Sequence, residues 1–136
     1  MREILDLIKK HEGYEPMVYQ CSEGFDTIGI GFKVDNLFLS EEVCDIILEE
    51  KIDKILERLD RLTPWVEDLP SDAQMVLINM CYQMGVGGVM KFKKALAAMK
   101  VRNWEEAAKE MLDSKWARQT PGRANELSEI IKNIND

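Results

Sequence analysis

Residues 12–31 read Glu12-Gly-Tyr-Glu-Pro-Met-Val-Tyr-Gln-Cys21-Ser-Glu-Gly-Phe-Asp-Thr27-Ile-Gly29-Ile-Gly31. The stretch switches from helical to strand periodicity, so it decides how the chain folds. Upstream, Ile4, Ile8 and Glu12 recur every fourth residue, which puts Glu12 on the apolar stripe of an N-terminal helix. Gly13 is the helix stop. Ser22-Glu23-Gly24 is a turn, and the runs on either side of it form a hairpin with Tyr19 and Cys21 opposite Thr27 and Phe25. Alternation along the second strand predicts Phe25, Thr27, Gly29 and Gly31 on one face, with Asp26, Ile28, Ile30 and Phe32 on the other. The second set is mostly apolar and is expected to pack on a core. The first is nearly free of side chains beyond Thr27, so a bulky ligand could lie against its backbone; the glycines could equally mark a bulge or bend.

Glu12 has two readings. A carboxyl on an apolar stripe, at the negative end of a helix dipole, is favoured in its protonated form. A general acid needs that form near neutral pH. The plainer reading is a glutamate that caps or snorkels at a helix end.

The rest of the chain is helical in pattern. Ser40 is an N-cap followed by Glu41 and Glu42, and Val43, Ile46, Ile47, Ile52, Ile55, Leu56 and Leu59 give one long helix that ends at Thr63-Pro64. Ser71 caps a mostly apolar helix, Met75 to Met84, closed by Gly85 and a loop at Val86-Gly87-Gly88. A helix follows from about Met90 to Lys100. Asn103 and Glu106 form a capping box for Trp104 to Leu112, and Thr120-Pro121 opens the last helix. The expected fold is α+β and mostly α: an N-terminal helix over 2–12, a hairpin lobe over about 13–39, a connecting helix over about 40–62, and a helical lobe over about 63–136 that includes the N-terminal helix.

Composition narrows the function classes. The chain has 136 residues, enough for one domain with a real core, with 46% hydrophobic and 32% charged residues. A net charge of −7 argues against nucleic acid as a partner. No apolar run approaches membrane-spanning length, and the N-terminus lacks a signal-peptide pattern, so cytoplasmic synthesis without membrane insertion is expected. Cys21, Cys44 and Cys81 show no metal-ligand spacing, and neither a metal nor another cofactor is implied. Cys44 and Cys81 lie in apolar helical runs and are expected in the core. Lys91, Lys93, Lys94 and Arg123 are candidates for a local basic patch.

Four blocks in order carry a resemblance: Glu12 to Gly31; Leu77-Ile-Asn-Met-Cys-Tyr82-Gln83-Met-Gly85; Trp104-Glu-Glu-Ala-Ala108; and Ser114-Lys-Trp-Ala-Arg-Gln-Thr-Pro-Gly-Arg123-Ala124. Together they resemble the phage-type lysozymes, the muramidase endolysins of T-even bacteriophages and their relatives. The resemblance implies a lysozyme-like fold and hydrolysis of the β-1,4 bond between N-acetylmuramic acid and N-acetylglucosamine in peptidoglycan glycan strands. It implies a monomer that reaches the wall after release. Glu12 matches the proton donor and Thr27 a threonine that helps hold the attacking water. Tyr82 and Gln83 match an aromatic–glutamine pair near the cleft, and Arg123 an arginine that approaches the catalytic glutamate. Gly29 and Gly31 complete the set as substrate-facing backbone.

The chain departs from that family at two positions. Cys21 stands where the second catalytic carboxylate, an aspartate, is found. Glycoside hydrolysis normally sets an acid on one side of the bond and a base or nucleophile on the other. A thiol fills that place only as thiolate. Phe32 stands where a histidine commonly forms a buried ion pair, and an apolar replacement there need not cost stability. Two other readings follow from the missing aspartate: a catalytically silent peptidoglycan-binding protein on the same fold, and a cysteine hydrolase pairing Cys21 with His11.

Overall fold

Local sequence signals place most of the helices, and the computed structural model, which describes residues 1–136, realises them in two compact units, 1–44 and 45–136. In the first unit, α1 (Arg2–Glu12) ends where Gly13 turns to φ 77° and its N–H closes on the Lys9 carbonyl at 2.7 Å. Only glycine takes that conformation without steric cost. Three short antiparallel strands follow, β1 (Glu15–Gln20), β2 (Asp26–Gly29) and β3 (Phe32–Lys33), in the order β1-β2-β3. The expected register holds: Tyr19 faces Thr27, and the Cys21 amide donates to the Phe25 carbonyl at 3.0 Å.

The strand does not run on to Phe32 as alternation predicts. Gly29 and Gly31, at φ 70° and 68°, turn the chain back so that Phe32 begins a third strand opposite Ile28. The faces therefore differ from expectation. Thr27 is buried, Ile28 and Ile30 are half-buried, and Phe32 is 48% exposed. Its ring lies over the sheet instead, 2.9 Å from where a Cβ on Gly29 would stand.

The long helix α2 (Glu41–Leu62) starts as read, with the Ser40 hydroxyl accepting from the Val43 amide at 3.2 Å. The boundary between the units falls just after Cys44. Cys44 is exposed, against the expectation of a core residue, because α2 buries only Leu59, near its other end.

The second unit holds α3 (Ser71–Val89), α4 (Lys93–Lys100), α5 (Trp104–Leu112), α6 (Lys115–Gln119) and α7 (Pro121–Lys132). Gly85, at φ 81°, breaks α3 where the sequence indicates a stop. The expected loop at Val86-Gly87-Gly88 is instead a further helical turn. Val86 and Val89 are buried there, and the Met90 amide closes on the Val86 carbonyl at 3.0 Å. Asn103 caps α5 by accepting from the Glu106 amide at 3.3 Å, one half of the expected capping box, while its own N–H donates to the Ala98 carbonyl at 2.8 Å instead of to Glu106. The core is built from α3, α4, α5 and α7, with Leu77, Met80, Met99, Met111 and Ile131 almost fully enclosed. Cys81 joins it as expected, and burial pushes its thiol up to about 11.

Candidate active site

The turn after β1 lowers the thiol of Cys21. Cys21 follows the last residue of β1 and is half-buried. The backbone amide of Phe25, and after it that of Glu23, holds the thiol below its ordinary value. Partial burial opposes them, the Thr27 hydroxyl adds to them, and the Glu23 carboxylate opposes. A tight turn exposes consecutive amides on its inner side, and that arrangement favours a negative charge.

Thr27 is 2% exposed, and its hydroxyl donates to the Phe25 carbonyl at 2.9 Å. A hydroxyl has one proton and two lone pairs. While it donates to Phe25 it can accept from the Cys21 S–H, and rotation delivers its proton to a thiolate. The hairpin register that pairs Tyr19 with Thr27 brings these two side chains together.

Glu12 is at the last position of α1. It is exposed, and α1 buries none of its residues, so the apolar stripe expected to enclose the carboxyl is open. What constrains Glu12 is Gly31. A Cβ on Gly31 would collide with Glu12 Oε2 and stand 3.0 Å from its Cδ. The face expected to be open for a ligand is thus occupied at Gly31 by Glu12 and at Gly29 by Phe32.

In the second unit, Tyr82 is half exposed and lines a cavity of about 420 Å³ together with Asn79, Arg123 and the apolar side chains Leu48, Ile52, Met75 and Ile78. Arg123 donates to Asn79 twice through the side-chain oxygen, from Nε at 2.9 Å and from Nη2 at 2.7 Å, and once to the Asn79 carbonyl at 3.2 Å. Its guanidinium is therefore held flat against α3. Gln83 accepts from the Trp116 indole N–H at 2.8 Å, and Trp116 meets Phe92 edge to face at 5.9 Å. The basic patch divides. Lys91, Lys93 and Lys94 share a cavity of about 450 Å³ with Lys115, Glu110, Asp113 and Trp116, whereas Arg123 lines the other cavity.

Sequence reading missed the amides of Glu23 and Phe25, Asn79 as the partner of Arg123, and Trp116 as the partner of Gln83. The turn at Ser22-Glu23-Gly24 was a usable signal for the first. The other two pairs lie 44 and 33 positions apart and leave no local signature. No group of His, Cys, Asp and Glu in the structure has the geometry to hold a metal ion, and no helix is long and apolar enough to cross a membrane.

Comparison with known proteins supplies a context for this geometry. The family model described as phage lysozyme matches residues 9–131. "Probable T4-type lysozyme 1" of Dictyostelium discoideum is 31% identical, with 95% of this chain and 93% of that protein aligned. "Probable T4-type lysozyme 2" of the same organism is 30% identical, with 93% and 92% aligned. "Pre-baseplate central spike protein Gp5" of Enterobacteria phage T4 is 32% identical over 93% of this chain, which corresponds to 27% of that larger protein.

Proposed function

Since the chain belongs to the phage lysozyme family and is a glycoside hydrolase acting on peptidoglycan, we propose that Glu12 and Cys21 divide the chemistry between them. The bond cleaved is the β-1,4 link between N-acetylmuramic acid and N-acetylglucosamine. Glu12 donates its proton to the glycosidic oxygen as that bond breaks. The Cys21 thiolate acts from the opposite side of the sugar. What supports this reading is that the Phe25 and Glu23 amides and the Thr27 hydroxyl lower the Cys21 thiol, which favours the only form of a thiol able to replace a carboxylate.

Two routes conserve atoms and charge. In the first, the thiolate attacks the anomeric carbon while Glu12 protonates the leaving oxygen, and a thioglycoside forms. Water then attacks the same carbon, Glu12 carboxylate takes the water proton, and the thiolate leaves with its electron pair. Configuration is retained. In the second, the thiolate takes a proton from a water that attacks directly, and configuration is inverted. In both, Thr27 turns its hydroxyl proton from the Phe25 carbonyl toward sulfur while the sulfur is a thiolate, and releases it as that charge passes to carbon or is taken up with a proton. That role lies closer to its observed partners than holding water does. Tyr82, half exposed, offers a ring face for sugar stacking, Arg123 a planar cation fixed by Asn79, and Gln83 an amide whose oxygen already serves Trp116. The silent-binder reading is not favoured by the family.

Digestion of purified peptidoglycan tests the reaction directly. New reducing sugar ends with an N-acetylmuramic acid terminus are the expected product. New N-acetylglucosamine reducing ends, or free amines, would replace the proposed bond. The anomeric configuration of the first product, read by NMR, assigns the thiolate: retention for the nucleophile, inversion for the base.

A further inference from the structure

Five glycines in this chain take φ between 68° and 84°, and they are not equivalent. At Gly13, Gly24 and Gly85 a Cβ would meet nothing within 4 Å, so backbone conformation alone calls for glycine. At Gly29 a Cβ would press on the ring of Phe32, the far end of a side chain on the exposed surface. At Gly31 it would meet Glu12 at three atoms: Oε2 in collision, Cδ at 3.0 Å and Cβ at 3.4 Å. The side chain of Glu12 lies along the bare Cα of Gly31 from its root to its carboxyl.

We propose that Gly31 is a positioning residue for catalysis, the seat that fixes where the Glu12 carboxyl stands. This rests on the reading of Glu12 as the proton donor. Glu12 is exposed on the last residue of a helix, with three rotatable bonds and no packed wall. Left alone, such a side chain samples several rotamers. The turn at Gly29–Gly31 brings backbone against it, and only a residue without Cβ allows that approach. The carboxyl is thereby held on the backbone of the β2–β3 turn, in the same sheet that carries Thr27. A methyl group at position 31 would displace the acid rather than remove it. A misplacement of about 1 Å can cost a factor on the order of 10² in rate.

The test combines Gly31→Ala with Glu12→Ala and uses Gly85→Ala to measure what positive φ alone costs. Gly31→Ala is expected to lower kcat about 100-fold with KM changed by less than about twofold, because the proton transfer is affected and sugar binding is not. Its melting temperature should fall further than that of Gly85→Ala. In the Glu12→Ala background this excess should vanish, and Gly31→Ala should cause no further loss of residual activity. Should Gly31→Ala fail to fold, the double variant decides. Recovery of folding in Glu12→Ala/Gly31→Ala supports the seat, and continued failure overturns it. A normal kcat in folded Gly31→Ala, or a melting loss equal in both backgrounds, also overturns it. Glu12→Gln is assayed alongside. If that variant stays active, the acid assignment itself is wrong. If it is inactive while Gly31→Ala keeps its kcat, only the positioning role is lost.

Discussion

The two units of this molecule are stabilised by different means. In residues 45–136 the helices enclose a continuous apolar cluster running from Leu59 to Ile131. In residues 1–44 the only buried residue is Thr27, and no apolar side chain is enclosed. The smaller unit is shaped by backbone: two strand pairings, a turn closed by the Gly24 amide on the Cys21 carbonyl at 2.8 Å, and glycines where the chain reverses. Yet it carries Glu12, Cys21 and Thr27. The proposed chemistry is therefore placed by hydrogen-bond geometry and close backbone approach, while the bulk of the hydrophobic stabilisation lies elsewhere. Substitutions in the two units should therefore separate activity from stability.

The largest separation is expected at Glu12. Glu12→Gln keeps the shape and the seat on Gly31 but has no proton to give. Lysis should fall by a factor on the order of 10² to 10⁴, the usual contribution of a general acid, with the melting temperature nearly unchanged. Turbidity loss of a cell-wall suspension and a thermal melt on the same sample would measure both. The converse is Met111→Ala, fully enclosed on α5. Removing its side chain should cost about 2–5 kcal/mol of stability. Activity per folded molecule should survive at low temperature. A Met111→Ala protein that unfolds normally but loses turnover would mean the units are not separable in this way.

An intermediate effect is expected at Cys21. Its thiol is lowered, chiefly by the Phe25 amide, then by that of Glu23, with Thr27 acting in the same direction. The thiolate therefore appears at lower pH than in a free cysteine. The rising limb of the pH–rate profile should lie below the ordinary thiol value of about 8.5. Thr27→Val removes one donor and should move that limb upward, whereas Cys21→Asp should move it down into the carboxylate range and widen the active window. Because Cys44 is exposed, alkylation is read cleanly only in a Cys44→Ser protein. Iodoacetamide should then inactivate through Cys21 alone, since Cys81 is buried with its thiol pushed up to about 11. Full activity in Cys21→Ala would remove the thiol from the mechanism.

How much of this was legible in the sequence follows the range of the interactions. Caps act over three residues, so the starts of α2, α5 and α7 could be read from Ser40, Asn103 and Pro121. The hairpin register came from its turn residues. α6 was missed because five residues give no periodicity, although Ser114 caps it by accepting from the Ala117 amide at 3.1 Å. The exposed sides of Cys44 and Phe32 were misread because an apolar pattern marks a stripe without saying whether anything covers it. At the site, residue types pointed to Glu12, Cys21 and Thr27 through family resemblance. Their physical roles depend on contacts that no local pattern encodes, such as Glu12 against Gly31.

The smallest expected effect lies far along the chain from the catalytic candidates, in the second unit. Arg102, held at φ 60°, forms an ion pair with Asp136 and donates to the Asp68 carbonyl at 2.8 Å. The Trp104 indole N–H donates to Asp136 at 2.6 Å. The indole first, and Arg102 after it, hold the Asp136 carboxyl below the usual range. A carboxyl lowered in the folded state binds fewer protons there than in the unfolded chain. Its contribution to stability is thus complete above the ordinary carboxylate value near 4 and is lost as pH falls through the lowered folded value. The pair is partly open to solvent, so salt should weaken it as well. Asp136→Asn should lower the melting temperature slightly at neutral pH and make no difference at the acid end. The gap between the two proteins should close as the solution is acidified, with Trp104 fluorescence reporting release of the indole in the parent protein. A gap that stays constant from neutral to strongly acid pH would show that Asp136 stabilises through packing and not through its charge.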